Sequence, residues 1–290
     1  MTESLAEGFE KHRTRMRAVA YRMLGSTAEA DDAVQEAWMR ASRADAESVD
    51  DLGAWLTTIV ARVCLNVLRS HRARPEDPVG VHVPDPVIGG TTPEDEALLA
   101  DAVGLALLVV LETLTPAERL AFVLHDMFDL PFDEIAPMVG KSSAAARQLA
   151  SRARRRVRGA GVDDHEPDLA RQREVVDAFY AAARRGDLDA LVAALDPDVV
   201  LRADGGVGRA DLSVVAHGAS DVVARALKLH QPAAVLRPAV VNGSAGVVAT
   251  IGGELIAVIG FTVARGRIVR IDVLADPDRL AHVDLSPLDT

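Results

Sequence analysis

The sequence is poor in cysteine and in aromatic residues, and it has no long apolar run. Its single cysteine, Cys64, excludes an intrachain disulfide and fits a reducing compartment. No apolar stretch reaches the roughly 18 residues that a membrane-spanning helix needs. Residues 1–20 are charged throughout and lack the apolar stretch of a secretory signal. We therefore expect a cytoplasmic protein that does not span a membrane.

Two kinds of ligand-binding motif are also missing from the sequence. No group of cysteine and histidine residues supports a metal site, and no glycine-rich loop of the Walker type could hold a phosphate. We therefore expect no metal and no cofactor. The 290 residues are nevertheless 49% hydrophobic, which is enough for two or three domains with cores of their own.

The charge of the chain is distributed unevenly. The net charge of −11 argues at first against binding to nucleic acid. However, residues 141–159 contain seven basic side chains and no acidic one, whereas residues 76–140 contain 13 acidic side chains and one basic. A purely basic block can contact phosphates. The acidic block before it could shield the basic one or face another basic surface.

Composition and turn signals divide the chain into five parts. Residues 1–74 and 93–159 are predicted to be helical domains, and residues 75–92 form a Pro-rich linker between them. Residues 160–168 form a second linker. Residues 169–290 are predicted to be an α+β domain, because two helical segments are followed by β-branched segments that suggest a run of antiparallel strands. The predicted strands are 199–203, 234–241, 247–251, 255–263 and 268–274, with a hairpin turn at Arg265-Gly266.

Capping signals mark where helices begin in the two helical domains. Ser26-Thr27-Ala28-Glu29 and Thr115-Pro116-Ala117-Glu118 have the pattern of a capping box. Thr92-Pro93-Glu94-Asp95 places a cap, a first-turn proline and acids at another helix start. A long helix is predicted from Leu52 to His71, with an apolar side formed by Trp55, Leu56, Ile59, Val63 and Val67.

The strongest local signal is a helix-turn-helix in the second helical domain. A short helix from Phe132 to Ala136 is followed by a turn at Gly140 and by an arginine-rich helix that Ser142 or Ser143 can cap. In such a motif the start of the second helix reads base edges, where arginine suits guanine and glutamine suits adenine. The predicted DNA-binding residues are Lys141, Ser142, Ser143, Arg147, Gln148, Ser151, Arg152, Arg154 and Arg155, with Arg156 and its arginine neighbours suited to phosphates.

These motifs together resemble a known family. Ala20-Tyr21-Arg22-Met23-Leu24-Gly25, Asp31-Asp32-Ala33-Val34-Gln35-Glu36-Ala37-Trp38 and Ala54-Trp55-Leu56 resemble region 2 of bacterial RNA polymerase sigma factors. Leu114-Thr115-Pro116-Ala117-Glu118-Arg119 and the helix-turn-helix resemble region 4. The absence of a region 3 between them is typical of the extracytoplasmic-function (ECF) type, and the resemblance covers about the first 160 residues.

The resemblance implies partners and contact residues in both helical domains. Asp32, Gln35 and Glu36 would bind the clamp of the largest subunit of core RNA polymerase. Region 4 would meet the flap of the second-largest subunit and read the distal promoter element. Arg62, Asn66, Arg69 and His71 would contact the upstream half of the melted promoter element. The free protein is expected to be a monomer, and the sequence does not reveal whether a separate anti-sigma factor exists.

The last 120 residues resemble a SnoaL-like (NTF2-like) domain, a cone of helices and sheet that one subgroup of ECF sigma factors carries. The subgroup's three motifs have counterparts in the linker, after the first predicted strand and near the C-terminus. The predicted interdomain regulatory residues are Pro84, Asp85, Pro86, Asp204, Gly205, Gly206, Asp276, Pro277, Asp278, Arg279 and Leu280. The chain departs from the subgroup at His82-Val83, where tryptophan and leucine are usual, at Val207 inside the glycine motif, and at Arg279, which replaces lysine.

Catalysis in the C-terminal domain is not expected. The candidate acid–base residues are Tyr180, Asp204, His217 and His230, and the last three stand in apparent loops or at a helix end. The sequence therefore predicts a non-catalytic sigma factor that directs core polymerase to promoters and is regulated in cis by its C-terminal domain. Two alternatives remain open: a dimeric helix-turn-helix regulator, and a SnoaL-like enzyme or ligand sensor with a DNA-binding part.

Overall fold

The chain forms two compact units. The computed structural model describes residues 5–44, 49, 51–73, 81–89, 104–160, 165–229 and 231–288. The first unit contains the described residues up to 73 together with 110–160, and the second contains 81–89, 104–109 and the residues from 165 onward. The helix start predicted at Thr92 and the candidate His230 lie outside the described residues.

The first unit is helical. Its helices are α1 (Leu5–Leu24), α2 (Thr27–Ala41), α3 (Leu52–Ala73), the end of α4 (Leu105–Glu112), α5 (Pro116–Phe122), α6 (Phe132–Val139) and α7 (Ser143–Gly159). Helices α1 and α3 pack against each other through buried side chains such as Met16, Val19, Leu56 and Val60. Cys64 is buried in the same core, and burial raises the pKa of its thiol to about 12.

The buried side of α3 is displaced from the predicted one. Leu56 and Val63 are buried as expected, but Trp55, Ile59 and Val67 are only half-buried, while Val60 and Cys64 take the central positions. Among the described helices α3 alone has the length and composition of a membrane span. Its apolar residues instead supply the core between α1 and α2, so this property reflects packing within the unit.

Capping decides where the helices of the second half of this unit begin and end. The Thr115 hydroxyl accepts from the Glu118 backbone N–H at 3.2 Å, and the Glu118 carboxylate accepts from the Thr115 N–H at 3.1 Å, which confirms the predicted capping box. A turn of π-helix, Val123–Met127, follows α5. Gly140 ends α6 with φ 65°, and Ser142 caps α7. The predicted helix-turn-helix is therefore present.

The second unit is built on one mixed sheet, which confirms the predicted α+β class. Its elements are α8 (Leu169–Arg185), α9 (Leu188–Ala194), β1 (Leu195–Asp204), β2 (Val214–His217), α10 (Ala219–Leu229), β3 (Val235–Val241), β4 (Ser244–Ile251), β5 (Glu254–Ala264), β6 (Arg267–Leu274) and α11 (Pro277–Leu280). The strand order is β2-β1-β6-β5-β4-β3.

Two features of the sheet correct the sequence prediction. The strands are not all antiparallel, because β1 pairs with β6 in parallel while the other pairs are antiparallel. His217 was expected in a loop but ends strand β2, a four-residue segment too short for its pattern to be recognised. Arg265 and Gly266 both adopt positive φ between β5 and β6, which confirms the predicted hairpin turn.

The sheet has one face packed on helices. Phe179 of α8, Leu191 of α9 and Val222 of α10 form a core with side chains of alternate strand positions, such as Phe261 and Ile271. The intervening positions, including Arg202 on β1 and Asp272 on β6, belong to the opposite face. Gly260 is also on that face, and the space a Cβ would occupy there is filled by Leu105.

Candidate functional site

The exposed face of α2 carries the residues predicted to bind polymerase. Asp32 and Gln35 are exposed, and Glu36 is half-buried with its carboxylate 2.8 Å from Arg40 Nε. Because the buried side of α2 consists of Ala30, Ala33, Val34, Ala37 and Ala41, these polar side chains lie on the free side of the helix. Sequence reasoning missed Met39, an exposed apolar side chain (38%) one turn beyond Gln35.

Helix α3 brings three of its four predicted DNA-binding residues together. Arg62, Asn66 and Arg69 are exposed and follow one another at intervals of four and three residues, so they share one face. His71 lies about half a turn away from that face, with Nε2 3.2 Å from the Glu29 carboxylate of α2. His71 therefore lies apart from Arg62, Asn66 and Arg69. Its side chain is placed instead by the polar contact with Glu29.

Helix α7 has a free face and an engaged flank. Gln148, Arg152 and Arg155 are exposed at helical spacing and form no ion pair with any described residue. On the flank, Arg147 lies with its guanidinium carbon 5.3 Å from the centre of the Phe132 ring. The other predicted residues of this region, Lys141, Ser142 and Ser151, are exposed, and Ser143 is half-buried.

Three predicted contacts of α7 are already used inside the protein. Arg154 Nε is 2.5 Å from the Asp126 carboxylate, and Arg156 Nη1 is 2.8 Å from the Glu118 carboxylate. The Ser143 hydroxyl donates to Asp133 at 2.5 Å. These bonds fix α7 against the preceding segments of the chain. Asp126, Glu118 and Asp133 belong to the acidic block that the sequence suggests as a shield for α7, and in the structure they bind side chains on one side of this helix.

Two buried arginines join the halves of the helical unit. Arg22 of α1 is 1% exposed, and its guanidinium carbon lies 5.0 Å from the centre of the Phe128 ring. Arg119 of α5 is 3% exposed, and its Nε donates to the Arg22 carbonyl at 3.3 Å. Burial lowers the pKa of Arg119 to about 10, although Glu112 and Glu29 oppose the shift. A tightly packed contact thus joins α1 to the segment that leads to the helix-turn-helix.

In the second unit, Arg279 connects the three regulatory motifs. It donates to the Asp85 carboxylate from Nη2 at 2.5 Å and from Nε at 2.7 Å, to the Val83 carbonyl at 2.6 Å and to the Asp204 carboxylate at 2.8 Å. The same oxygen of Asp204, Oδ2, also accepts a hydrogen bond from the Val83 backbone N–H at 3.0 Å. We call these four residues the Arg279 clasp. They come from positions as far as 196 residues apart along the chain.

The glycine motif shapes the wall of the clasp. Gly206 has φ 64°, and a Cβ there would lie 2.2 Å from the Asp276 carboxylate. A Cβ at Gly205 would lie 2.1 Å from the Arg209 carbonyl. Asp276 caps α11 by accepting from the Asp278 N–H at 3.0 Å, and this helix carries Arg279. Glycine is therefore required at Gly206 so that α11 can approach the end of β1, and at Gly205 so that the loop after β1 can fold back on itself at Arg209. Pro277 occupies the first turn of α11 and Leu280 is buried.

The linker also extends the sheet, which the sequence did not predict. Ile88 forms a bridge with Val241 at the edge strand β3, and the Gly89 N–H donates to the Val240 carbonyl at 2.6 Å. Asn242 forms two hydrogen bonds with Val87, the residue before Ile88. The Asn242 N–H donates to the Val87 carbonyl, and the Asn242 side-chain oxygen accepts from the Val87 N–H. Pro84, Pro86, Val87 and Ile88 are buried, whereas Asp85 is half-buried.

The candidate acid–base residues do not come together. Tyr180 packs among Phe179 and Phe261, and burial raises the pKa of its hydroxyl. Asp204 is committed to the clasp, and His217 is exposed on β2. Sequence reasoning missed a different cluster on the opposite sheet face, where Asp272 is buried next to Arg202 and Arg270. Alternation along β6 predicts that Arg270 and Asp272 share one face of the sheet, but it does not predict how deeply these side chains are buried.

Comparisons with known proteins agree with the two helical motifs. Residues 9–74 match the family model for sigma-70 region 2, and residues 104–157 match the model for sigma-70 region 4. A probable ECF RNA polymerase sigma factor of Mycobacterium tuberculosis, SigI, is 37% identical over 283 residues, which cover 96% of this chain and 95% of that protein.

A second relative adds a structural comparison. The ECF RNA polymerase sigma factor SigJ of Mycobacterium tuberculosis is 45% identical over 221 residues, which cover 75% of this chain and 70% of SigJ. The crystal structure of SigJ superposes on the chain with a TM-score of 0.77 at 36% identity, and the superposition covers 97% of this chain and 100% of that one. The likeness therefore includes the C-terminal unit as well as the helical one.

Proposed function

The chain belongs to the extracytoplasmic-function sigma factors, which direct RNA polymerase in transcription initiation, and we propose that its C-terminal unit regulates this activity by holding the interdomain linker. The observation that carries the proposal is the Arg279 clasp. It ties the linker residues Val83 and Asp85 to the end of β1 and to α11. Because the linker joins regions 2 and 4, its docking limits how far those regions can separate.

Core polymerase would dock on the free face of α2. Asp32, Gln35 and Glu36 offer carboxylate and amide groups to a basic surface, as the clamp of the largest subunit would provide. Met39 would add an apolar contact one turn further along. Region 4 would meet the flap of the second-largest subunit.

Promoter DNA would meet two arginine-bearing faces. Arg62, Asn66 and Arg69 on α3 would contact the melted upstream strand. Arg147, Gln148, Arg152 and Arg155 on α7 would enter the distal element together with Lys141 and Ser142 at the helix start. Arg154 and Arg156 already form ion pairs with Asp126 and Glu118, so they would contribute less to phosphate binding than an arginine without such a partner. His71 would act through its pair with Glu29.

The packing of α1 on the segment after α5 supports a closed resting state of regions 2 and 4. Arg22, Arg119 and Phe128 make this contact, and it includes a guanidinium nitrogen, Arg119 Nη2, that finds no acceptor among the described residues. A buried donor without an acceptor costs roughly 1–3 kcal/mol, so the contact is less stable than its burial alone would make it. Core polymerase would select an open form, as population shift requires.

The C-terminal unit would act without catalysis and without a cofactor. The helix-covered face of its sheet is filled by Phe179, Tyr180 and Phe261, and the titratable candidates are dispersed. A ligand-sensing role is the second candidate, since the same fold serves many functions. We further propose that the free protein is a cytoplasmic monomer.

Run-off transcription with core polymerase tests the proposal. Full-length protein and the variant Arg279→Gln would be compared on a library of promoter fragments, with Arg267→Gln, an exposed arginine of the β5–β6 hairpin, as the matched control. We expect Arg279→Gln to change the amount of promoter-specific transcript, because the fork that binds Asp85 and Asp204 is lost, while Arg267→Gln behaves as the wild type. Equal transcription by all three proteins would refute regulation through the clasp.

A further inference from the structure

A π-helical turn lies just before the helix-turn-helix. Turns of this kind are rare, and they occur frequently at functional sites. The turn spans Val123–Met127, and Asp129 then adopts a left-handed conformation with φ 57°. The chain folds back tightly, so that the Leu130 N–H donates to the Leu124 carbonyl at 2.9 Å. This reversal places the side chain of His125 next to the first residue of α6.

His125 and Phe132 form a stacked pair, which we call the aromatic shelf. Their ring centres are 3.9 Å apart, with an angle of 33° between the planes. His125 Nδ1 is 2.9 Å from the Leu130 carbonyl oxygen, which can only accept, so this nitrogen carries the hydrogen. The hydrogen bond fixes the orientation of the His125 ring, and His125 in turn supports one side of Phe132.

Arg147 lies on this shelf. Its guanidinium carbon is 5.3 Å from the centre of the Phe132 ring, within the range of a cation–π contact. Arg147 is exposed and Phe132 is half-buried, so the guanidinium group lies at the surface of the motif. The other arginines of α7 differ: Arg154 binds a carboxylate, and Arg152 has neither a ring nor a carboxylate partner in the described part of the chain.

We propose that Phe132 is a positioning residue for Arg147, and that through Arg147 it determines specificity at one base pair of the distal promoter element. This inference rests on the proposed reading of that element by α7. A guanidinium group that stacks by its face keeps the N–H groups of its edge available for the two acceptors of guanine. The shelf reduces the side-chain freedom that Arg147 would otherwise lose on binding DNA.

The test uses full-length protein, core polymerase and a promoter whose distal element is randomised, with transcripts sequenced to give the preference at each base pair. We expect Arg147→Ala to abolish the preference at one position. Phe132→Leu is expected to lower the preference at that same position by about two- to fivefold and to leave the other positions unchanged. Phe132→Tyr keeps the ring and is expected to restore the preference.

A double-mutant cycle separates positioning from general support of the fold. If Phe132 acts through Arg147, the variant carrying both Phe132→Leu and Arg147→Ala behaves as Arg147→Ala alone. The matched control is Arg152→Ala, whose effect is expected to add to that of Phe132→Leu. Additive effects of Phe132→Leu and Arg147→Ala would overturn the proposal. So would a stronger preference in Phe132→Leu, because it would mean that the ring holds Arg147 away from DNA.

A second measurement does not depend on transcription. In the NMR spectrum of the wild type, the Nε–Hε signal of Arg147, assigned with Arg147→Lys, is expected to show the ring-current shift of a guanidinium over an aromatic face. A signal at the position of a free arginine would overturn the shelf. If the wild type starts no promoter-specific transcript while this shift is present, the proposed function fails and the shelf itself stands.

Discussion

At the scale of single residues, burial and charge oppose each other at Asp272. The carboxyl group is 1% exposed and its Oδ1 has no partner among the described residues. Burial raises the pKa of Asp272 to about 6, although Arg270 and Arg202 act in the opposite direction. A carboxyl group whose pKa is higher in the folded than in the unfolded protein contributes its full stabilisation only at pH values below the unfolded pKa of about 3.9. This contribution is lost as the pH rises through about 6.

Asp272→Asn removes that titration. Between pH 4 and pH 6 the unfolding free energy of the wild type should fall by up to about 3 kcal/mol relative to that of Asp272→Asn, since one pKa unit corresponds to about 1.4 kcal/mol. Thermal unfolding of both full-length proteins across this pH range measures the difference. Asp211→Asn, at an exposed position, serves as the control. Parallel pH profiles of wild type and Asp272→Asn would contradict the assigned pKa.

At the scale of elements, the linker segment 81–89 is attached to the edge of the C-terminal sheet at Ile88. Its attachment at the β3 edge depends on Asn242, which combines φ 49° with a side-chain oxygen 3.0 Å from the Val87 nitrogen. Asparagine is one of the few non-glycine residues that adopt positive φ readily. One residue therefore provides both the turn between β3 and β4 and the acceptor that holds the linker.

Asn242→Gly separates these two roles, because glycine keeps the positive φ and loses the acceptor. We expect hydrogen exchange of the Val87 amide to become about fivefold faster, in line with the roughly 1 kcal/mol of one hydrogen bond, while exchange within β4 and β5 stays unchanged. Asn242→Asp, which keeps an acceptor, is the control and should preserve protection. Unchanged exchange of Val87 in Asn242→Gly would show that Ile88 and Gly89 alone hold the segment.

At the scale of the whole molecule, the contact at Phe128 is expected to control the separation of regions 2 and 4. Phe128 is held by Arg22 and by Arg15, whose Nη2 donates to the Phe128 carbonyl at 3.1 Å. Removal of the ring in Phe128→Ala should shift the equilibrium toward the open form by about 5- to 30-fold, the equivalent of 1–2 kcal/mol for a desolvated cation–π contact.

Energy transfer between dyes at Arg43→Cys and Gly159→Cys measures this separation. Both positions are exposed, and a side chain at Gly159 meets nothing within 4 Å. Cys64 can stay in place, because its buried thiol has a raised pKa and reacts slowly. We expect Phe128→Ala to lower the transfer efficiency in the free protein, and core polymerase to lower it in both proteins. An efficiency that core polymerase leaves unchanged would refute the opening of the closed form.

The sequence by itself determined the features that depend on local spacing. The capping box at Thr115, the glycine that ends α6 and the arginine run of α7 identify the helix-turn-helix, because caps and helical periodicity act within a few residues. The motif resemblance likewise identified the residues that Arg279 joins, although not their bonds. The strands of the sheet were located from β-branched segments, apart from the short β2.

Only the tertiary structure decided which polar residues are free and which are used. Arg152 and Arg154 look alike in the sequence, yet Arg154 binds Asp126, 28 residues away, and Arg152 does not. The parallel pairing of β1 with β6, the edge position of Ile88 and the burial of Arg22, Arg119 and Asp272 likewise depend on contacts between distant segments. Such contacts are set by the packing of whole elements, and a pattern within one element does not contain that information.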